Sequence, residues 1–348
     1  MPTVNHDVLR KFVYDMYIGA GGVEEDARIV SNHVVESNLM GHDSHGVINA
    51  PNYAGGMSGG PSTDKMEIVR ETPATAVINA NGGLGMVIAQ KAMEMAVEKA
   101  KNGTFGGVGL HRCGHAGRMG TYPTIAAKEG MIGLVFLNGG GRFMHPFGGT
   151  SRRLPPNPIA IAVPRKNGEP LMLDVTMSVV AGGKILVQRA RDQEMPEGWM
   201  IDSEGNTVTD PSAFIDRHDD TAVMPVGGFQ FGHKGFGLGF MIDAIAGGLS
   251  WAGCSRQEPT RGASGIVMIA IKIQDFIDLD VYQQETEYLT EWIKSSEKLP
   301  GVDEVFAPGE FEERSREQRM RDGIPIEEKT WDRLVEAAAS YGVSAPEV

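Results

Sequence analysis

Glycine is the residue whose placement most constrains this chain, because its glycines concentrate in three stretches, at 102–120, 139–149 and 227–248. The chain has 46 glycines in 348 residues, about 13%, where an average protein has about 7%. Their spacing is not periodic, which excludes a collagen-like repeat. Glycine concentrated in this way serves tight turns and close approach of the backbone to a ligand. We therefore expect the middle of the chain to approach a ligand closely.

Helical patterns occupy both ends of the chain. Near the N-terminus, apolar residues recur at helical spacing, first at Val8, Leu9, Phe12, Val13, Met16 and Tyr17, and then at Ala27, Val30 and Val34. Near the C-terminus, "VYQQETEYLTEWIKSS" is typical of a helix. Pro325 is expected to open another helix, whose apolar face carries Trp331, Leu334, Val335 and Ala338. The predicted organisation is a helical domain built from 1–70 and 280–348, with an α/β domain at 71–279 inserted between them.

The inserted region alternates short apolar strands with helices. The predicted strands are "TAVINA", "GVGLHR", "MIGLVFLN", "IAIAVP", "PLMLDV" and "SGIVMIAIKI". The predicted helices are "GMVIAQKAMEMAVEKAKNG", "MGTYPTIAAKEG" and "HKGFGLGFMIDAIAGGLS". The last helix is expected to be buried through Leu238, Met241, Ile242, Ile245 and Leu249. The segment 203–223 is rich in Asp, Thr and Ser and is expected to be a surface excursion.

The charge and the cysteine content exclude several classes of protein. The formal net charge is −13 and no block of Lys or Arg occurs, so neither nucleic acid nor a membrane surface is an expected partner. Cys113 and Cys254 are too few for a disulfide framework or a thiolate zinc site. The N-terminus lacks the apolar stretch of a signal peptide, and no apolar run reaches about 18 residues. These features predict a cytoplasmic protein.

Two glycine patterns invite comparison with the dinucleotide-binding fingerprint, and neither satisfies it. Gly83 and Gly85 lie between a predicted strand and a helix, but Ile88 takes the place of the third glycine. The acidic residue expected at the end of a second strand is also missing, because 98–102 still belongs to the helix. The second pattern lies inside a helical periodicity, where small residues permit close packing, and comprises Gly235, Gly237 and Gly239. A Rossmann domain is therefore not predicted.

Lys234 and the segment 173–184 are the candidates for contacts with phosphate or ribose. Lys234 is expected at the N-terminus of a helix, where free N–H groups and the helix dipole favour an anion. The segment places Asp174, Thr176 and Ser178 at the end of a strand, where short polar side chains suit ribose or phosphate. A solvated lysine and a plain turn are the alternative interpretations.

Two close pairs of histidines are candidates for a metal site. They are His42 and His45 in "GHDSHG" (41–46), and His111 and His115 in "HRCGH". Four imidazoles, or three together with Asp43, could hold a metal ion. Ligation from positions i and i+4 needs a helix, however, and the glycines at both ends of 109–114 disfavour one.

General acid–base chemistry suits His45 and His115, because each lies where a predicted element ends. An imidazole with a pKa of about 6.5 exchanges protons readily at neutral pH. Ser44 does not lie in the G-x-S-x-G pattern of a serine hydrolase. Cys113 is not expected to be a nucleophile activated by His115, because side chains so close in an extended segment rarely point at each other.

Seven motifs, in order along almost the whole chain, resemble the type 2 malate/L-lactate dehydrogenase family. They are "GHDSHGV...Y" (41–53), "GHAGRMGTYPTIAAKEGMIGLVFLN" (114–138), "NPIAIAVP" (157–164), "LDVTMSVVAGGKI" (173–185), "MPEGWMIDSEGN" (195–206), "HKGFGLGFMIDAIAGGLS" (233–250) and "APGE...R...DGIPI" (307–326). The resemblance implies an NAD(P)-dependent oxidoreductase that acts on a 2-hydroxy or 2-oxo acid, or on a cyclic imine acid. It also implies a family-specific, non-Rossmann dinucleotide-binding fold, and a homodimer whose active site lies between domains.

The resemblance assigns roles to particular residues. The residues that would line the cofactor, NAD or NADP, are Asp174, Val175, Thr176, Met177, Ser178, His233, Lys234, Gly309 and Glu310. His45 and His115 would flank the substrate carbon, with one of them as proton donor or acceptor, while Ser44 hydrogen-bonds the reacting oxygen. Tyr53 and Asn157 would contact the substrate, and Asp202 would orient a histidine.

The sequence departs from the family where the substrate carboxylate should bind. The family commonly has arginine five residues after the serine of S-H-G, and this chain has Asn49. The region 139–156 also departs from the usual motifs. We expect Arg142, or Arg118 after the histidine loop, to replace the missing carboxylate clamp. Otherwise the substrate is larger or less anionic than malate or lactate.

Two other functions stay open at this point. The first is a metal-dependent hydrolase or lyase that uses His42, His45, His111 and His115. The second is a catalytically silent nucleotide-binding protein of the same fold, an interpretation that Asn49 and the altered 139–156 region favour.

Overall fold

The computed structural model describes residues 1–258 and 264–347. The helices are α1 (His6–Gly19), α2 (Glu24–Leu39), α3 (Ala50–Ala54), α4 (Gly85–Asn102), α5 (Thr121–Lys128), α6 (Gly182–Ala190), α7 (Ala213–Asp216), α8 (Gly228–Leu249), α9 (Leu279–Lys294), α10 (Glu310–Asp322) and α11 (Glu328–Ser340). The strands are β1 (Thr3–Val4), β2 (Glu67–Glu71), β3 (Thr75–Asn79), β4 (Phe105–His111), β5 (Met131–Asn138), β6 (Ile159–Val163), β7 (Leu171–Val175), β8 (Met200–Asp202), β9 (Thr221–Val223), β10 (Gly265–Lys272) and β11 (Ile324–Pro325). The expected mixed α/β character is confirmed.

A seven-stranded mixed sheet forms the centre of the molecule, in the order β2-β3-β4-β10-β5-β6-β7. Within this sheet only β3 and β4 run parallel, and the other neighbours are antiparallel. A doubly wound dinucleotide fold needs a mostly parallel sheet. The sheet is therefore of a different type, in agreement with the incomplete glycine fingerprint. Strand β10 lies between β4 and β5, and this central position explains its continuous apolar sequence.

Two large hydrophobic cores hold the elements together. The first joins both chain ends, because Leu9 and Val30 of the N-terminal helices belong to the same buried cluster as Leu334 of α11. The second fills the space between the sheet and helices α4 and α5, with Met93 and Tyr122 fully buried. Helix α9 contacts neither core through a buried apolar side chain, and Gln283 instead donates to the carbonyl oxygen of Arg165 near the β6–β7 turn. The proposed domain boundaries at 70 and 280 stay a prediction.

The C-terminal helix begins later than the sequence suggests. Pro325 lies in β11, where it pairs with Thr3 of β1, and α11 begins only at Glu328. The prediction that Pro325 opens this helix is therefore wrong. A proline is tolerated in such a short, two-stranded pairing because few backbone hydrogen bonds depend on it.

Helix α8 is longer and more exposed than the sequence suggests. It begins at Gly228, and Ile242 is buried where the helix packs against β5 and β10. Leu238, Met241 and Leu249, however, are 46%, 54% and 63% exposed. The prediction of a buried helix is therefore right for one face only. None of the helices in 1–258 and 264–347 combines the length and apolar character needed to cross a membrane.

Candidate active site

The "GHDSHG" segment contains a tight 3-10 turn that is held by hydrogen bonds from Asn38 and Arg319. The turn spans Asp43–His45 and follows the end of α2. The Asp43 carboxylate accepts hydrogen bonds from Arg319 Nη1 at 2.6 Å and from Asn38 Nδ2 at 2.6 Å. Gly46 is required there, since a Cβ atom would lie 2.2 Å from Oδ1 of Asn38. This scaffold gives Asp43 a structural role and holds Ser44 and His45 in place.

The histidine loop at 114–118 is packed equally tightly. Gly85, the first residue of α4, lets the loop approach, because a Cβ atom there would lie 2.1 Å from the carbonyl oxygen of Gly114. His33 of α2 accepts a hydrogen bond at Nε2 from the backbone N–H of Arg118 at 2.9 Å. The Tyr122 hydroxyl donates to the carbonyl oxygen of Ala116. The loop that carries His115 is therefore preorganised from both sides.

The two scaffolds bring three aromatic rings into a near-parallel stack. The ring centroids of His45 and His115 are 5.8 Å apart with an interplanar angle of 12°. Tyr53 lies on the other side of His115 at 6.0 Å and 12°. The Tyr53 hydroxyl lies 2.6 Å from Nδ1 of His115, and the Ser44 hydroxyl lies 3.1 Å from Nδ1 of His45. Each imidazole is thus oriented by one hydroxyl.

The surroundings keep these imidazoles neutral. Burial, together with the nearby His115, His42 and Arg118, lowers the pKa of His45 to about 4. Burial also lowers the pKa of His115, although the residue is exposed enough for a ligand to reach it. Burial raises the pKa of the Tyr53 hydroxyl, which therefore stays protonated. At neutral pH the stack consists of two neutral imidazoles and one phenol.

Three further segments converge on this pair of histidines. The backbone N–H of Gly120, just past the histidine loop, donates to Oδ2 of Asp174 at 2.7 Å. A Cβ atom at Gly183, in the first turn of α6, would lie 3.1 Å from Cβ of Ser44. On the other side, His42 Nε2 lies 3.3 Å from Oε1 of Glu312 in α10. Segments far apart in sequence therefore meet beside the histidines.

Comparison with known proteins decides the family. The sequence profile described as malate/L-lactate dehydrogenase matches residues 4–335 of this chain. A malate dehydrogenase from Pyrococcus horikoshii is 36% identical, over 98% of this chain and 96% of its own length. The chain belongs to the malate/L-lactate dehydrogenase family. The resemblance found in its motifs is thereby confirmed.

Other members of the family agree in sequence and in structure. An L-sulfolactate dehydrogenase from Methanocaldococcus jannaschii is 35% identical, over 97% of this chain and 94% of its own length. The crystal structure of malate dehydrogenase from Entamoeba histolytica matches with a TM-score of 0.92 at 26% identity and covers 99% of each chain. The family therefore accounts for the whole described fold, and these three relatives are named as dehydrogenases of malate or L-sulfolactate.

Of the residues assigned to the cofactor by family resemblance, 174–178, Gly309 and Glu310 lie at or near the end of β7. Gly309 has φ +94° and lies against Met172, so the loop before α10 reaches the strand two residues before Asp174. The Glu310 carboxylate accepts from Lys294 Nζ at 2.7 Å and from the backbone N–H of Ala307 at 2.9 Å, so it fixes this loop. The Glu310 carboxylate is therefore occupied by contacts within the protein.

The polar residues after β7 form a compact turn. Ser178 is buried and its hydroxyl donates to the carbonyl oxygen of Val180 at 2.8 Å, while Thr176 donates to the carbonyl oxygen of Ser178. Met177 packs against Gly239 of α8, and Val175 is 39% exposed at the sheet edge. The turn is thus fixed by its own side chains and by backbone hydrogen bonds of Met177 to neighbouring segments, while Val175, at the end of β7, stays exposed.

Lys234 does not lie at a helix N-terminus. It is the seventh residue of α8, is exposed, and places Nζ 5.3 Å from the ring centroid of Phe231. The prediction that it begins the helix is wrong, because α8 extends back to Gly228. His233, beside it, is exposed and contacts the edge of Phe147 with ring centroids 5.5 Å apart.

The residues predicted to contact substrate differ in their availability. The Asn49 amide donates to the carbonyl oxygen of Ser44 at 2.8 Å and so braces the 3-10 turn. Asn157 is fully buried, and its amide donates to the carbonyl oxygen of Gly239 and to Asp243 under α8. Arg142 is exposed, in a loop, next to Gly141. Of these residues, Asn49 and Asn157 already serve the scaffold.

The contacts of Asp202 and His111 lie outside the stack formed by Tyr53, His115 and His45. The Asp202 carboxylate accepts from the backbone N–H groups of Glu204 and Asn206 in its own turn, so it does not orient a histidine. His111 is buried in β4 beside Trp251. Within 1–258 and 264–347, no group of three or more His, Cys, Asp or Glu side chains is placed to hold a metal ion.

Sequence reasoning missed His33 and Tyr122 as supports of the histidine loop. Both lie on helices, with ring centroids 5.8 Å apart, and both contact the loop. A buried histidine inside an amphipathic helix gives no local signal, because its partner is a backbone N–H group 85 residues away. For Tyr122 the motif "GHAGRMGTY" carried the signal, but as a match to the family rather than as a contact.

Proposed function

We propose that this protein is an NAD(P)-dependent oxidoreductase that transfers a hydride between nicotinamide and a 2-hydroxy or 2-oxo acid. One observation carries the proposal: two neutral, hydroxyl-oriented imidazoles stand 5.8 Å apart at the meeting point of the family motifs. Family members named as malate and L-sulfolactate dehydrogenases support a small, anionic hydroxy acid as substrate.

His115 is the residue that we assign to proton transfer. When its proton lies on Nδ1, that N–H donates to the Tyr53 hydroxyl oxygen and leaves Nε2 available to accept a proton from the substrate hydroxyl. His45 is less suited to the reverse step, in which a protonated imidazole donates. Protonation of His45 is disfavoured by burial and also by the nearby His115, His42 and Arg118. Protonation of His115 is disfavoured by burial. His45 and Ser44 then orient the reacting oxygen.

The edge of β7 fits a dinucleotide. The backbone N–H of Met172 donates to the carbonyl oxygen of Pro308, away from β6. Because alternate residues of a strand direct their backbone groups to the same side, those of Asp174 also face this open edge. Exposed Val175 offers apolar surface, and Gly309 lets the loop before α10 lie close to this strand. Lys234 is an exposed cation that the family resemblance assigns to the cofactor. The bound nicotinamide supplies or accepts the hydride, which none of the twenty side chains can do.

A homodimer is part of the proposal, and the exposed face of α8 supports it. The face combines large apolar side chains in one continuous helix, namely Phe229, Phe231, Leu238, Phe240, Met241 and Leu249. An isolated protein rarely exposes an apolar patch of this kind. A second copy of the chain would bury this patch. The apolar residues that the sequence predicts to be buried would then be covered by the partner rather than by their own chain.

Nucleotide binding followed by turnover tests the function directly. We expect quenching of protein fluorescence on titration with NADH or NADPH, and oxidation of the bound reduced nucleotide when oxaloacetate, sulfopyruvate, pyruvate or a cyclic imine acid is added. Activity should survive treatment with a chelator, which separates this function from a metal-dependent hydrolase. Failure to bind either nucleotide would refute the proposal, and binding without turnover on the whole panel would favour the silent homologue.

A further inference from the structure

We propose that Arg118 binds the carboxylate of the substrate and replaces the arginine that the family commonly has at position 49. This inference rests on the proposed function and names the residue that recognises the 2-oxo or 2-hydroxy acid. It also sets aside Arg142, the other arginine that the sequence offers for the same role.

The guanidinium of Arg118 is buried with few partners of its own. Its residue is 4% exposed. In the described part of the chain, its guanidinium makes one hydrogen bond, from Nη2 to Sδ of Met172 at 3.6 Å, and its buried Nε makes none. A thioether is a weak acceptor. A buried cation with so little compensation is costly unless an anion joins it.

The carboxylates around Arg118 do not supply that anion. Asp174, Glu312 and Glu36 are near enough to favour its charge, but none forms an ion pair with it within 4.0 Å. Each has a closer partner of its own, in the pairs Asp174–Gly120, Glu312–His42 and Glu36–Arg316. These carboxylates favour the positive charge of Arg118 without forming ion pairs with it. The N–H groups of its guanidinium are therefore free to bind the carboxylate of a substrate.

The position of Arg118 suits a substrate whose reacting carbon lies at the histidines. Arg118 follows His115 by three residues on the same loop, and its charge acts on His45 directly. In a 2-oxo acid the carboxylate is bonded to the carbon that reacts, so the clamp must lie beside the proton-transfer group. The backbone of Arg118 is fixed by His33, which reduces the entropy lost on binding.

The two alternative positions for the clamp are weaker. Asn49 cannot bind a carboxylate bidentately, and its amide already donates to the carbonyl oxygen of Ser44. Arg142 is exposed in a loop, where a charge pair contributes little because water competes for it. A carboxylate at Arg118 would be shielded from water, where a charge-assisted hydrogen bond is strongest.

The test compares Arg118→Gln and Arg118→Lys with Arg333→Gln, a matched control at an exposed position of α11. For each holoenzyme we would measure the Kd of NADH and NADPH, the KM and kcat for the best 2-oxo acid, and inhibition by oxalate. Because hydrogen bonds to charged groups are stronger than those between neutral groups, we expect the glutamine variant to raise KM and the oxalate inhibition constant on the order of 100-fold. The lysine variant should be intermediate, with nucleotide affinity and the control unchanged.

Several results would overturn the assignment. One is an unchanged KM in a folded Arg118→Gln protein. A second is a loss of nucleotide affinity in that variant without a change in KM, which would place a cofactor phosphate at Arg118. A third is a rise in KM in Arg142→Gln but not in Arg118→Gln. Circular dichroism and thermal unfolding establish that each variant is folded, and recovery of Arg118→Ala by added guanidinium would support the clamp even if that variant is less stable. If the wild-type protein binds no nucleotide, the proposed function fails, and thermal stabilisation by oxalate that depends on Arg118 still reports the anion site.

Discussion

The Tyr53 hydroxyl lies 2.6 Å from Nδ1 of His115, and the two rings are inclined by only 12°. This contact fixes the orientation of the imidazole and leaves Nε2 as the ring nitrogen available to a ligand. The phenol stays protonated because burial raises its pKa, so it can accept or donate this hydrogen bond but does not add a charge. Tyr53 therefore acts through His115.

Tyr53→Phe should lower kcat about 10-fold, since it removes one hydrogen bond worth about 0.5–1.5 kcal/mol from the group that transfers the proton. KM for the 2-oxo acid should change little, because Arg118 still holds the carboxylate. Steady-state kinetics at saturating nucleotide measure both constants. Tyr14→Phe, at a half-buried position of α1, is the control, and an equal loss of kcat there would mean that the effect is not specific to His115.

His115→Gln should reduce kcat by roughly 10²–10⁴-fold, the usual contribution of a general acid or base. His45→Gln should cost less. In the oxidation direction the base must be neutral, and both imidazoles have a lowered pKa. The rate of oxidation should therefore be constant above about pH 6.5, the unperturbed value for histidine, and fall only in more acid solution. A larger loss in His45→Gln than in His115→Gln would reverse the assignment.

Buried His33 should make the protein sensitive to acid. Burial, with Arg118, His45 and His115 nearby, lowers the pKa of His33 to about 3 from an unfolded value of 6.5. Between these two values the unfolded chain binds the extra proton, so the free energy of unfolding falls as the pH falls, by up to about 1.4 kcal/mol per pH unit, and is level above 6.5. His33→Gln keeps an acceptor for the Arg118 N–H but removes this titration.

Urea denaturation between pH 4.5 and 7.5 measures the slope rather than the stability itself, so a general loss of stability in the variant does not obscure the result. The slope should be shallower in His33→Gln than in the wild type. His218→Gln is the control, because that side chain is 48% exposed and changes its surroundings little on unfolding. An unchanged slope in His33→Gln would contradict the prediction.

Much of the fold follows from periodicity, and the exceptions have physical causes. Strand β10 was predictable because a central strand is covered on both faces and needs a continuous apolar run. The exposure of one face of α8 was not, since a sequence records that a face is apolar but not whether its own chain covers it. Lys234 was misplaced for a simpler reason: glycines at 227, 228 and 232 hid the beginning of the helix.

The candidate site shows the same division. Motifs located Ser44, His45 and His115 because their residue types carry the chemistry. The supports His33 and Arg319 act across 85 and 276 residues of sequence, through a backbone group and a carboxylate, and leave no local pattern. The glycines of the incomplete fingerprint, Gly83 and Gly85, have a different structural role. They allow the histidine loop to pack closely against the start of α4, where a dinucleotide fold would place a pyrophosphate.

Gly85→Ala tests that meaning. Its Cβ atom would lie 2.1 Å from the carbonyl oxygen of Gly114 and 2.5 Å from that of His115, so either the helix or the loop must move. We expect a loss of about 1–3 kcal/mol in the free energy of unfolding and a fall in kcat. Gly103→Ala, at the other end of α4, meets only a carbonyl oxygen at 3.8 Å and should be neutral in both measurements. Equal behaviour of the two variants would argue against a specific contact.

The exposed face of α8 predicts the oligomeric state. Phe240 and Met241 are 55% and 54% exposed near the middle of α8, and a stable interface buries about 800 Å² on each partner. Phe240→Glu would place a charge where that interface should be dry, so we expect sedimentation to give the mass of a dimer for the wild type and of a monomer for the variant. Ile68→Glu, which adds the same charge at a 45% exposed position of β2, should remain dimeric. A monomeric wild type, or a Phe240→Glu protein that still dimerises, would mean that this face does not join two copies.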